Sequence, residues 1–333
     1  MKTISYLHFS LKNITFYLSF LLIIIALVIP FFQISLYLMH VLILMFYYIG
    51  YSSSWNLLAY SGQVSFGHAA FLGIGAYITT LFTIRTSLPF IGVLIGAIVS
   101  AFIGLLIGLT CVRLREWFLA LVTFGFSIIM IALTIELDEF TGGTLGLIVP
   151  KLFPSINQYQ YYFYYYYIML TLAVFLVLIS QFIIRSKVGL AFAAIRENEL
   201  EAKATGINVM KYKLLAFTIS AFFTGLTGAF YAHFIGFINH QIYSPENSFW
   251  PIIINVIGGL ATIEGPVIGS ILRFFIIEFL RIMEPWVRTI SPGMITIYPK
   301  MQILIFGAIL VVVIILMPKG IAPQLRKFLT PKE

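Results

Sequence analysis

The chain has 333 residues, 61% hydrophobic and only 10% charged, too few polar groups to cover a soluble globule. Its formal charge of +8 is clustered between long apolar runs rather than spread along one face, which excludes nucleic acid as a partner and is accounted for by membrane orientation. The single cysteine, Cys111, excludes an internal disulfide and a thiolate metal cluster, and is assigned a packing role.

A helix rising 1.5 Å per residue needs roughly 20 apolar residues to cross the hydrocarbon core. That ruler predicts ten spans: Ile14 to Phe32, Leu36 to Ala59, Val64 to Ile84, Leu88 to Thr110, Trp117 to Glu136, Tyr161 to Ile184, Leu214 to Ile235, Trp250 to Ile263, Val267 to Ile282 and Met301 to Met317. The expected fold is therefore an all-α, polytopic transmembrane helical bundle, one domain over 1–333. The first run follows Lys2 and Lys12 as a signal peptide would, but no small-x-small cleavage site comes after it, so it reads as an uncleaved first helix. An even span number places both termini on one side. With that side cytoplasmic, fourteen Lys and Arg residues fall inside and five outside, as the positive-inside rule requires.

Taken in order, the first polar cluster opens the third span, AYSGQVSFGHAAFLGIGAY, where Gln63, Ser65 and His68 lie among Gly62, Gly67, Gly73 and Gly75. Membrane glycines have two readings, close helix packing or an interrupted helix whose freed backbone lines a cavity. Packing is the commoner case, polar side chains at the start of the segment raise the second, and His68 reads equally as a hydrogen-bonded core residue or a substrate contact. Next, Glu136, Asp138 and Glu139 precede Thr141, Gly142, Gly143 and Gly146 on a rim; acids beside a glycine turn there read as solvated charge. The run YYFYYYY reads as an anchor in the outer headgroup layer.

The long polar stretch runs from Arg185 to Lys213 and interleaves six cations with Glu197, Glu199 and Glu201. A helix from about Gly189 is expected to stop at Gly206, with Asn208 capping the next one. Further on, Gly258, Gly259, Thr262, Glu264, Gly265 and Pro266 predict a tight turn between two short spans. GHAAFLGIGAY and FTGLTGAFYAH are loosely alike but do not amount to a repeat. Near membrane depth, only Arg273, Glu278 and Glu136 carry charge; Arg273 and Glu278 are expected to snorkel or to pair. There is no GxxxxGK[ST] loop, no zinc-ligand spacing and no Ser/His/Asp arrangement in a strand-turn context, so the reading is of a non-enzyme without metal or cofactor.

The stretch AIRENELEAKATGINVMKYKLLAFTISAFFTGLTGAFYA resembles the permeases of branched-chain amino acid importers, the LivM type, and its Glu201-Ala202 with Gly206 resembles the coupling loop of bacterial ABC-importer permeases. Lys203 departs from the small residue usual there. Gly62, Gln63, Ser65, Gly67, His68, Phe71, Gly73, Gly75, Ala76 and Tyr77 match that family's GQxSxGHxxFxGxGAY pattern. The TGGxxG element and the segment from Gly258 to Gly269 also match, with Ala261 for the usual glycine and Ser270 for the usual alanine. The likeness covers roughly 57–269.

It implies that Arg196, Glu197, Glu199, Glu201, Ala202 and Gly206 couple to a separate cytoplasmic ATPase. It also places Gly62, Gln63, Ser65, Gly67, His68, Gly73 and Gly75 at the translocation pathway, and Thr141, Gly142, Gly143 and Gly146 at the outer mouth. The implied partners are two ATP-binding subunits, a second related permease, an extracytoplasmic binding protein and lipid, in a bacterial inner membrane. An uncharged third and fourth span suits a zwitterion, whose carboxylate a broken-helix N-terminus could receive. Leucine, isoleucine and valine are implied by the resemblance; urea or short amides satisfy the same physics. A transporter or channel working without an ATPase is the reading of another class, and a non-transporting assembly protein leaves the polar glycine block without a role.

Overall fold

The computed structural model of the protein describes residues 21–290 except 112, 113, 115 and 155, and residues 301–329 except 302, 303, 306, 309, 310, 313 and 314. The sequence-predicted first and last spans, Ile14 to Phe32 and Met301 to Met317, therefore lie partly outside the described residues, as do both termini.

Six helices are long and apolar enough to cross a membrane. They are α2 (Leu36–Tyr60), α3 (His68–Thr86), α4 (Pro89–Cys111), α5 (Glu116–Glu136), α7 (Gln158–Arg185) and α10 (Val209–Ile235). Ahead of them runs the shorter apolar helix α1 (Leu21–Phe32). Between them lie α6 (Asp138–Thr141), α8 (Lys187–Glu197) and α9 (Glu199–Ala204); α11 (Pro245–Gly258), α12 (Gly265–Ile290) and a helix over Ile321–Leu329 follow. Starts are set by side-chain caps: Ser35 accepts from the Leu38 amide, and Asn157 and Gln160 form a reciprocal capping box. The only strands among the described residues are β1 (Leu147–Ile148) and β2 (Phe237–Ile238), paired antiparallel.

The centre is α10 against α3 and α4, with α2 packed on α7 and α10. Backbones meet there because small residues leave room. A Cβ on Gly75 would run into the Gly225 carbonyl, and one on Gly228 into the Leu72 carbonyl. In a membrane such faces replace the hydrophobic effect as the source of helix association. The two loosely similar segments of the sequence are thus facing partners, and their likeness reflects a shared packing requirement.

Three sequence expectations change. The third span begins at His68, not Val64, because 61–67 is not helical. The predicted span Trp250 to Ile263 is α11, only 14 residues or about 21 Å, shorter than a crossing. The predicted Val267 to Ile282 extends to a 26-residue α12. Between α10 and α11, Ile242 and Tyr243 are buried, and the Tyr243 ring lies where a Cβ on Gly73 would be.

Candidate functional site

The helices place two functional stretches at one end of the bundle. The end of α2, the link 61–67, α8, α9 and the start of α10 all meet there, joined by contacts from Gly62 to Arg196 and from Gln63 to Lys213. This is the knuckle end. The opposite end carries β1, β2 and the start of α7, and is called the strand end.

At the knuckle end, α8 stops at Glu197 rather than continuing to Gly206. Asn198 breaks it, because its side chain accepts from the Leu200 and Glu201 amides and so caps a new helix. Its amide nitrogen also donates to Glu201 Oε1 at 2.7 Å. Helix α9 then closes as expected. Gly206 has φ +87, its N–H donates to the Lys203 carbonyl, and the Ile207 N–H donates to the Ala202 carbonyl. That six-to-one and five-to-two pairing satisfies the last carbonyls of the helix. Nothing lies within 4 Å of a Cβ at Gly206, so backbone conformation, not space, calls for glycine. Asn208 caps α10 through the Lys211 amide. Ile195, Ala202 and Val209 form a small core under the turn, while Leu200 at its tip is 75% exposed.

The charges do not all face outward. Lys213 Nζ is 2.6 Å from Glu199 Oε2, and Lys203 approaches Glu199 at 3.4 Å. Partial burial raises the Glu199 carboxyl, but the Lys213 and Lys203 ammonium groups outweigh it and hold the carboxyl below its ordinary value. Arg196 lies over the Tyr60 ring and within 3.8 Å of Glu197, whose side chain is 80% exposed.

The polar block is where α2 ends and α3 begins. Gln63 Nε2 donates to Ser61 Oγ at 2.8 Å and to the Lys213 carbonyl at 2.9 Å, so the link is tied to the first turn of α10. Trp55 Nε1 donates to the Ser65 carbonyl. His68 Nε2 is 2.7 Å from Ser220 Oγ, whose own proton goes to the Ser54 carbonyl, so Nε2 is the donor. The first amides of α3 are taken: Ala69 donates to Ser248 Oγ and Ala70 to the Gly67 carbonyl. Gly67 abuts the Thr123 backbone and Gly75 that of Gly225. Of the two readings for these glycines, close packing is the one the contacts support at Gly67, Gly73 and Gly75. Gly62, at φ +77, turns the chain against Arg196.

A third polar joint went unnoticed in the sequence. Asn56 accepts from the Ala261 amide at 2.9 Å and donates to the Thr262 carbonyl at 2.7 Å, which fastens the turn between α11 and α12 to α2. Thr262 Oγ1 completes the turn by donating to the Gly259 carbonyl and accepting from the Gly265 amide. Ala261 has φ +51, so the glycine of the family pattern is replaced where the backbone favours glycine. The partners of Asn56, Thr123, Ser220 and Ser248 lie 57 to 206 positions away, so no local pattern marks the pairs.

At the strand end, Thr141 Oγ1 donates to the Thr134 and Leu137 carbonyls, and Gly142, Gly143 and Gly146 all have positive φ. The turn delivers β1 onto β2. Asp138 and Glu139 are exposed, as expected of solvated charge. The tyrosine run does more than anchor. Tyr165 and Tyr166 are fully buried, and five hydroxyls donate to backbone carbonyls: Tyr159 to Pro30, Tyr161 to Phe234, Tyr165 to His233, Tyr166 to Ala26 and Tyr167 to Leu27. Arg273 and Glu278 do not pair. Glu278 accepts from Tyr37 and lies 3.4 Å from Arg281, whereas Arg273 is stacked on Tyr48 and Trp250.

Residues 37–314 match the family model described as branched-chain amino acid transport system / permease component. The chain is 29% identical over 298 residues to the high-affinity branched-chain amino acid transport system permease protein LivM of Salmonella typhimurium, covering 82% of this chain and 67% of that protein. Its identity to the Escherichia coli protein of the same description is 28% with the same coverage. A probable branched-chain amino acid transport permease protein LivM of Methanocaldococcus jannaschii is 22% identical, with 72% and 71% covered. No solved structure matches the chain.

Proposed function

Given that the chain belongs to the family of branched-chain amino acid transport system permease components, we propose that it is the membrane-spanning subunit of an ATP-driven importer for leucine, isoleucine and valine. It resides in the bacterial cytoplasmic membrane as a multi-pass helical bundle, with the knuckle end in the cytoplasm. Cations concentrated on 185–213 support that orientation. ATP is hydrolysed on separate subunits, a second related permease completes the pathway, and a binding protein delivers substrate at the strand end, beside Thr141, Gly142, Gly143 and Gly146.

One observation carries the reading. The segment from Asn198 to Asn208 is a compact turn with its own small core and an exposed Leu200 at the tip, tied at its base to the link 61–67 through Lys213 and Gln63. An apolar residue ringed by Glu197, Glu201 and Lys203 suits insertion into a groove on a soluble partner. The base then transmits displacement of the turn to Gly62, Gln63, Ser65 and His68. Coupling needs the docked ATPase to prefer one arrangement of the bundle over the other, by about 1–3 kcal/mol in allosteric systems.

Purification of the chain from its native membrane tests the assembly: an ATPase and a second permease should travel with it, and Leu200→Asp should release the ATPase. Isotope uptake in the reconstituted complex tests the substrate. Leucine should compete and urea should not; uptake driven by an ion gradient with no ATPase present would overturn the proposal.

A further inference from the structure

Arg273 is a cation placed where hydrocarbon tolerates one poorly. Its guanidinium carbon lies 3.7 Å from the centroid of the Tyr48 ring and 4.1 Å from that of Trp250. Tyr48 is at the midpoint of the 25-residue α2, so the charge sits near half depth, more than ten ångströms from either headgroup layer by the rise of the helix. Lipid phosphate is out of reach. Both rings attract the guanidinium. Its Nε is nevertheless buried without a partner, and no carboxylate among the described residues comes within ion-pair distance of Arg273. Residues 291–317 contain no Asp or Glu. An arginine that only filled space here would be expected to pair internally, because intramembrane cations are expensive without an acceptor.

Glu246 is exposed on the first turn of α11, four positions and so about one helical turn before Trp250, and is likewise outside ion-pair distance of Arg273. A cation against Trp250 and an anion one turn away on the same helix, with no ion pair between them, match the two ends of a zwitterion. Helix N-termini do not compete for the carboxylate. The first amides of α3 are occupied by Ser248 and Gly67, and Glu246 already complements the N-terminus of α11.

We propose that Arg273 receives the carboxylate of the transported amino acid and Glu246 its ammonium group, with Tyr48 and Trp250 as the walls of the site. The inference rests on the amino-acid reading above and adds the residues that recognise the backbone of the substrate, leaving its side chain to apolar surroundings. Planar N–H edges suit a carboxylate in two-point contact, so Lys at this position is a partial replacement only.

The test uses the whole complex in nanodiscs without its binding protein, with radiolabelled L-leucine as probe. Competitors are leucinamide, which lacks the carboxylate, and 4-methylpentanoate, which lacks the ammonium group. Wild type should prefer leucine to both. Arg273→Gln should weaken leucine binding by about 10- to 100-fold, the range of a charge-assisted hydrogen bond, and bind leucine and leucinamide alike. Arg273→Lys should retain part of the preference. Glu246→Gln, a change on an exposed side chain, should erase the preference over 4-methylpentanoate even where Arg273→Gln fails to accumulate. Wild-type affinity and discrimination in an intact Arg273→Gln complex would overturn the assignment. So would loss of the second permease from that variant, which would give Arg273 a protein carboxylate as partner. A wild-type complex that imports urea but neither binds nor imports leucine would instead bring down the amino-acid reading, and this inference with it.

Discussion

The two ends of the bundle are fastened by different chemistry. At the strand end, tyrosine hydroxyls, His233 and a strand pair hold backbone to neutral donors and acceptors with large aromatic surfaces closed around them, and the ion pair there, Glu278 with Arg281, lies within α12 and reaches α2 through Tyr37. At the knuckle end, the joints are an ion pair and amide side chains: Glu199 to Lys213, Gln63 to the Lys213 carbonyl, and Asn56 to the turn after α11. A neutral aromatic joint resists opening because separating it exposes apolar area. Polar joints open at small net cost where opening lets water replace the lost partner. On the coupling proposed above, the knuckle end is the one that shifts and the strand end the one that keeps its shape.

That contrast breaks most severely at the close-packed glycines. Gly67→Val would drive a side chain into the Thr123 backbone and is expected to destabilise by about 3 kcal/mol or more, read as loss of folded protein from membranes and a lower thermal midpoint. Gly206→Val meets open space and is expected to cost only roughly 1–2 kcal/mol of local strain. Membrane insertion should be intact and ATP-dependent uptake abolished; normal uptake would separate the knuckle from coupling.

Smaller changes sharpen the comparison. Tyr165→Phe deletes one donor at the strand end and should lower stability by about 1 kcal/mol, seen as a reduced thermal midpoint with uptake retained. Glu199→Gln should lower stability by no more than about 1 kcal/mol, its carboxylate being partly exposed, yet reduce uptake more than Tyr165→Phe does. The pH dependence follows from the sign of the Glu199 shift. Because its folded carboxyl lies below the ordinary value, the ion pair contributes above that value and is lost only as pH falls through the lowered one. Proteolytic protection of 198–208 should hold from neutrality into the mildly acidic range and fall at stronger acidity; loss at pH 6 would show that Glu199 is not held this way. The smallest effect is expected at Ala261→Gly, which relieves a positive φ and should raise the thermal midpoint by less than about 1 kcal/mol equivalent.

Much of the knuckle was legible because its rules are local. Gly206 and Asn208 act on amides within a few positions, so spacing alone placed the turn. Asn198 is just as local, but a polar residue inside a charged helix gives no sign that it will cap rather than continue. The polar block was found as a pattern and misplaced as a helix start, since glycines that allow a break also allow close contact, and only Thr123 and Gly225 decide which. The tyrosines read as anchors because ring composition carries no information about which carbonyl a hydroxyl will meet.

By itself, the sequence determined that this is a helical membrane protein, which end of each long helix carries charge, and where the chain must turn, because hydropathy, charge and backbone permissiveness act residue by residue. Only the tertiary structure decided that Asn56 holds a turn more than two hundred positions away, that Lys213 joins the knuckle to the link 61–67, and that Arg273 stands against two rings with no acid among the described residues in ion-pair range. Those are contacts between separate helices, and a single polar residue in an apolar run leaves its partner undefined until the helices are packed.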